Sequence, residues 1–276
     1  MKRMVARIAV YATASLVSLV FVYPFLWMLI SSFRTQSAIL SAPLRLWPER
    51  FDLTAFYSIG QIGGDPLGRF VVNSVVITLA ATLIGVCATG LGAYALYRRP
   101  NLPLFASVRY GFLLTIMYPN MMLVIPLYFV VYHLGLLGSY AGIILSVSQV
   151  PLTFFVFVQF FRTIPHEIIE AANVDGASEW AIFSRIVLPI ARPVVATATL
   201  IAFLLNWKQW LPVVVLSTTS DSYTLPVALI SLNSEYGINF QATMALATLT
   251  VLPAVVLFLI TQRRVMDGIV AGAVKG

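Results

Sequence analysis

Long apolar runs separated by short charged clusters dominate the pattern of this chain. Windows free of Asp, Glu, Lys and Arg hold 26 residues between Arg7 and Arg34, 28 between Arg69 and Arg98, 52 between Arg109 and Arg162, and 27 between Glu235 and Arg263. A helix needs about 20 mostly apolar residues to cross the hydrocarbon core of a membrane. The 52-residue window is interrupted over 133–140 by glycines, Ser139 and a lone histidine, so it folds back as two helices. A further apolar stretch, 193–216, is long enough to cross in spite of Lys208. The pattern predicts an all-α, polytopic membrane protein with six spans, over 9–32, 71–97, 110–132, 140–161, 193–215 and 241–262.

Composition agrees: 60% of residues are hydrophobic and 10% charged, against about 25% charged in soluble domains. The 17 Lys and Arg outnumber the 10 Asp and Glu, which in a soluble chain would suggest a nucleic-acid partner. Here basic residues retained on the cytoplasmic side of the spans account for the excess, and no nucleic acid is implied. The first apolar run follows Lys2, Arg3 and Arg7 but is too long for a secretory signal and lacks a small-residue cleavage site, so it is a retained helix. With the N-terminus inside, twelve basic residues fall on the cytoplasmic side and five, Arg34, Arg45, Arg50, Arg69 and Lys208, on the other. Both termini are therefore expected in the cytoplasm. The single cysteine, Cys87, excludes a disulfide framework and is expected as a small buried hydrophobe.

Two hydrophilic segments exceed what a connection requires. The outer one, 34–69, carries three prolines and the exposed aromatics Trp47, Phe51, Phe56 and Tyr57. The inner one, 162–192, has legible local chemistry. Pro165 suits the opening of a helix, since its missing N–H has no partner in the first turn anyway. Ile168, Ala171 and Ala172 then form a narrow apolar stripe, and Asp175 with Gly176 ends the run. A second short helix begins with Ser178 as N-cap, carries Glu179 in its first turn and ends at Pro189. Small Ala171 and Ala172 would allow close approach of another surface, and Glu170 could meet a basic partner; an ordinary solvated loop is the alternative.

Lys208 is a cation within a span and must face water or snorkel to the outer interface. Phe203, Asn206 and Trp210 follow i, i+3 and i+7 along one helical face. An amide and two rings suit the hydroxyls and C–H faces of a sugar, and helix packing with an interfacial aromatic belt explains them equally well. Tyr118, Pro119, Asn120, Met121 and Pro126 lie in the third span, where each proline removes a backbone hydrogen bond and kinks the helix, as in a gating element beside a pathway. Gly138 and Gly142 form a GxxxG spacing read as close packing. No phosphate-cradling Gly-Lys-Ser/Thr loop, HExxH or CxxC motif occurs, and His133 and His166 stand in different loops, so neither ATP hydrolysis, a metal site nor other catalysis by this chain is expected.

Glu170-Ala171-Ala172, two further residues, Asp175-Gly176-Ala177, then Phe183, Ile186, Leu188, Pro189 and Pro193 closely resemble the signature of permease subunits from binding-protein-dependent ABC importers. Tyr23, Pro24, Trp27, the Asn206-Trp207 pair, Thr224-Leu225-Pro226 and the ending Gly268 to Gly276 make the whole chain similar to the MalG-type carbohydrate branch. The resemblance implies one type-1 transmembrane domain over 1–276 in the inner membrane of a bacterium or archaeon. It implies a coupling loop docked on an ATPase through Glu170, Ala171, Ala172, Asp175, Gly176 and Ala177, and a tail, 263–276, reaching the ATPase dimer through Gly268, Gly272, Lys275 and Gly276. Met266 and Asp267 give that tail a more acidic character than the family pattern. The implied partners are a second permease, two ATPase subunits that hold ATP and Mg, an extracytoplasmic binding protein, membrane lipid and a sugar. Glycerol phosphate or another polyol derivative is the alternative solute. An ion-gradient carrier is the alternative class, disfavoured by the absence of acidic residues within the spans.

Overall fold

The computed structural model describes residues 2–48, 50–235 and 239–273. In chain order the elements are α1 (Lys2–Ser31), α2 (Gln36–Ser41), α3 (Thr54–Ser58), β1 (Gln61–Ile62), β2 (Asp65–Pro66), α4 (Leu67–Arg98), α5 (Pro103–Met117) and α6 (Asn120–His133). They continue as α7 (Tyr140–Val147), α8 (Pro151–Phe161), α9 (His166–Val174), α10 (Glu179–Ile182), a π-helical turn (Phe183–Val187), α11 (Leu188–Ile190) and α12 (Arg192–Trp207). After these come α13 (Leu211–Leu216), a 3₁₀ turn (Ser220–Ser222), α14 (Leu225–Glu235) and α15 (Phe240–Ala273). The described chain packs as two compact units, 1–69 with 228–253 and 70–227 with 254–276.

Among the described residues, three helices are long and apolar enough to cross a membrane unbroken: Ala6–Ser31, Leu67–Arg98 and Phe240–Gln262. The other expected spans are interrupted. The helix expected over 140–161 is α7 and α8, bent by 48°. The one expected over 110–132 is α5 and α6, separated at Tyr118-Pro119, and the one expected over 193–215 stops at Trp207 and resumes as α13. A proline stands at each interruption. Pro119 and Pro151 force the preceding Tyr118 (ψ 136°) and Val150 (ψ 86°) out of the helical region. Pro212 cannot donate back to Lys208, so α12 ends there with Lys208 as its C-cap.

In the first unit, α1 is exposed from Ala6 to Leu26, as expected of an apolar helix whose surroundings are lipid or another chain. The segment after it is folded rather than solvated. Arg34 is buried and donates from Nη2 to the carbonyls of Ala38 and Ala42 and from Nη1 to that of Arg45 at 2.7 Å, tying α2 and its C-cap to the turn that follows. Phe56, expected as exposed, is half-buried with its ring 5.1 Å from that of Phe33, whereas Trp47, Phe51 and Tyr57 are exposed. Gly63 (φ 60°) and Gly64 (φ 86°) supply the two positive φ angles of the tight turn between β1 and β2.

The second unit packs around two apolar clusters. One gathers Phe154, Phe157 and Phe161 of α8, Ala93 of α4, Ala198 and Ala202 of α12, and Ile169 and Ile182. The other gathers Ile77 and Ala81 of α4 with Val131, Ile143, Val213 and Leu216. A Cβ on Gly85 would lie 2.2 Å from the Ser148 carbonyl oxygen, so α4 runs directly against the break between α7 and α8. The GxxxG pair serves packing within the chain. Gly138 (φ 75°) donates its N–H to Leu216 O at 2.8 Å, and a Cβ on Gly142 would meet Leu136 O at 2.4 Å. Asn73 is buried on α4, donating to the carbonyls of Asp221 (2.7 Å) and Tyr223 (2.8 Å) and accepting from the Tyr140 hydroxyl (2.7 Å). Cys87, expected as buried, is exposed, because it lies on the α4 face opposite Gly85, Val86 and Thr89.

Candidate functional site: a coupling elbow and a cavity at three helix breaks

The 162–192 segment folds as the helix, glycine turn and helix its local chemistry predicts. Pro165 is the N-cap of α9 and Asp175 its C-cap. Gly176 adopts φ 73° and donates to Asn173 O, while Ala177 donates to Ala172 O, both at 3.0 Å. These two bonds make a Schellman closure, which needs a residue tolerant of the left-handed region at position 176. The Ser178 hydroxyl accepts from Ala181 N–H and caps α10. Of the apolar stripe Ile168, Ala171 and Ala172, only Ala172 is buried, together with Ile169, whereas Ile168 and Ala171 are exposed with Glu170 and Val174. One expectation needs correction. The second helix does not end at Pro189: α10 runs through the π turn into α11, and the wider turn makes room for the proline ring.

The elbow is fastened to the end of α4. Arg98 donates from Nη2 to Glu179 Oε1 at 2.6 Å and from Nε to Oε2 at 3.0 Å, and Tyr94 Oη donates to Oε2 at 3.1 Å. Arg98 Nη2 also lies 3.4 Å from Asn173 Oδ1, so the clamp touches both arms of the elbow. The Tyr97 hydroxyl donates to Ile164 O at 3.1 Å, and the Tyr97 ring stacks on His166 with centroids 5.1 Å apart. The Arg98 hydrogen bond holds the Glu179 carboxyl below its ordinary value of 4.5, against a smaller opposing effect of burial, so the pair is ionised at neutral pH.

A cavity of about 310 Å³ lies where the three proline-bearing breaks meet. Tyr118 reaches it from the first break, Gln149 and Pro151 from the second, and Asn206, Lys208, Gln209 and Pro212 from the third. In a membrane, such non-helical backbone persists only where protein covers it or where it lines a wet cavity. Asn206 is buried; its Nδ2 donates to Thr82 Oγ1 at 3.3 Å, and its Oδ1 has no hydrogen-bond partner among the described residues. An orphaned buried acceptor is costly unless something else supplies a donor.

Of the residues expected along the pathway, the structure brings Tyr118 and Asn206 to this cavity. The helical stripe of Phe203, Asn206 and Trp210 does not exist, because α12 ends at Trp207. Phe203 is buried and stacks on Trp207 at 5.5 Å, and Trp210 lies beyond the break. Asn120 opens α6, and its side chain lies outside the described residues. Lys208 is exposed and forms part of the cavity wall. Of the expected tail contacts, Gly268 and Gly272 lie on the continuation of α15, and Lys275 and Gly276 are outside the described residues.

The model of the family described as binding-protein-dependent transport system inner membrane component matches residues 81–269, which holds the elbow, the cavity and most of the last helix. The chain belongs to this family. The permease is 31% identical over 270 residues to the diacetylchitobiose uptake system permease protein NgcG of Streptomyces coelicolor, covering 96% of this chain and 88% of that protein. It is 30% identical to the lactose transport system permease protein LacG of Rhizobium radiobacter, over 100% of this chain and 98% of that one. Its fold matches a subunit in the crystal structure of a bacterial ABC transporter involved in the import of the acidic polysaccharide alginate, with a TM-score of 0.80 and 19% identity, covering 95% of this chain and 97% of that one. This permease is thus a multi-pass inner-membrane component of the MalG type.

Three features of the site escape a reading of local pattern. Arg98 and Glu179 are 81 positions apart, and only Glu179, as a first-turn acid, carried a local signal. Gln149 and Gln209 are unremarkable amides until the breaks place them on one wall. The usable signal was the prolines at 151 and 212, each within an apolar run, as at 119.

Proposed function

We propose that this permease forms one half of a pore that carries a carbohydrate, and that ATP-driven closure of two partner ATPase subunits moves it through the elbow of α9 and α10. The observation that carries the reading is the division of α9 into two faces: Ile169 and Ala172 are buried against the body, while Ile168, Glu170, Ala171 and Val174 are exposed. A helix fixed on one face and bare on the other, clamped by Arg98 and Glu179, can transmit force from a partner to α4. In this reading ATP and Mg belong to the ATPase subunits, a second permease completes the pore, both termini lie in the cytoplasm, and an extracytoplasmic binding protein delivers the solute. Gly268, Gly272, Lys275 and Gly276 are proposed as a further ATPase contact.

Carbohydrate as the solute class is supported by the names of the relatives, which include permeases for diacetylchitobiose and lactose. The cavity supports it as well. Amides at Gln149, Asn206 and Gln209 and the phenol of Tyr118 offer donors and acceptors to hydroxyl groups. The test is uptake by the reconstituted importer. Glu170→Arg, and Gly176→Asp on the exposed turn, should leave membrane insertion intact while ATP hydrolysis continues without uptake. Normal uptake in both variants would overturn the coupling role.

A further inference from the structure

Lys208 is the one charged residue among the described residues that line the cavity at the three breaks, and no Asp or Glu stands among them. Every other polar side chain on that wall is a neutral amide or hydroxyl. A cation placed for lipid contact alone would not need a wall of amides beside it. Each of the three breaks sets the negative C-terminal end of one helix (α5, α7, α12) beside the positive N-terminal end of the next (α6, α8, α13), and residues at or near each end line the cavity. These ends cancel to a first approximation, and the field of the lysine remains. Polar partners for hydroxyls therefore stand beside an uncompensated positive charge and an orphaned buried acceptor, Asn206 Oδ1. The volume of about 310 Å³ falls at the lower end of ligand sites, which run from about 300 to 1,000 Å³, and holds one sugar ring.

We infer that this cavity is a subsite for a sugar bearing a carboxylate, with Lys208 pairing the carboxylate and Gln149, Asn206 and Gln209 engaging the hydroxyls. The inference rests on the carbohydrate reading above and narrows it. Lysine meets a carboxylate as a flexible point charge, so a sugar acid can be held and released without the fixed geometry an arginine would impose.

The test compares digalacturonate with lactose as probes, using ligand-detected NMR on the complete importer in phosphatidylcholine nanodiscs, a method suited to weak binding. The importer should bind digalacturonate about fivefold more tightly than lactose, the scale of one partly exposed ion pair. Lys208→Gln should remove that preference and Lys208→Arg should keep it, with assembly on the ATPase subunits checked by size-exclusion chromatography in both. Equal binding of the two sugars by the unaltered importer, or a preference that survives in Lys208→Gln, would overturn the inference and leave the carbohydrate reading standing. Binding of neither sugar would overturn both. Phosphatidylglycerol nanodiscs form the last arm: a preference lost there assigns Lys208 to the headgroup phosphate and also overturns the sugar-acid subsite.

Discussion

Glycine positions show how single residues set the packing of this permease, and they differ sharply in what they would tolerate. At Gly85 a methyl group would sit 2.2 Å from a backbone oxygen, Ser148 O, which cannot rotate away as a side chain would. Gly85→Ala must therefore push α4 from the α7–α8 break, at a cost of about 1–3 kcal/mol by analogy with overpacked cores. At Gly111, within α5, nothing lies within 4 Å of the added atom, so Gly111→Ala should be neutral or stabilising by up to about 1 kcal/mol through helix propensity. Thermal melting of the two purified variants checks the pair: the first should melt below the unaltered protein and the second at or above it. Equal melting would show that the α4 contact does not constrain the fold. Gly176 is a third case, with open space around it but a left-handed backbone, so its requirement is conformational rather than steric.

Among elements, the elbow and the proline kink at 119 were legible and the breaks at 150 and 208 were not, for a reason of range. Pro165, Asp175, Gly176 and Ser178 act on backbone groups within a few positions, so their chemistry could be read in order along the chain. Which apolar position of α9 turns inward was not legible, since Ile168 and Ile169 are both apolar and only the body of the protein selects which one is buried. The 71–97 and 241–262 windows became continuous helices, whereas apolar length alone concealed the interruptions at Val150 and Lys208. The Arg98–Glu179 clamp is a long-range contact and its energy can be isolated by a double-mutant cycle. The Glu179 side chain is 53% exposed, so the coupling energy between Arg98→Ala and Glu179→Gln should be at most about 1 kcal/mol. Its pH dependence follows from the sign of the shift. A carboxylate held below 4.5 in the folded protein contributes stability above that value and loses it as the pH falls through the lower folded value. Melting followed downward from pH 7 should show this loss in the unaltered protein and not in Glu179→Gln.

At the scale of the whole molecule, the cavity and the elbow belong to one unit and share α4, which carries Thr82 beside Asn206 and Arg98 beside Glu179. The middle and the C-terminal end of a single helix therefore touch the proposed solute path and the proposed motor contact. Such an arrangement transmits movement as a rigid body only if the elbow stays attached to α4 while its outer face engages the partner. The division of faces makes that separable by experiment. Ile169 is 1% exposed, so Ile169→Asp buries an unpaired charge, costs several kcal/mol and should abolish the folded permease altogether. Ile168 and Val174 are 41% and 88% exposed, so Ile168→Asp and Val174→Asp leave the body intact and add charge only to the bare face. These two variants should melt within a few degrees of the unaltered protein yet co-purify with less ATPase subunit, and uptake should fall in proportion to the ATPase lost. A full complement of ATPase on both variants would place the motor contact elsewhere on the permease and remove α9 from the force path, even with the fold and the family unchanged.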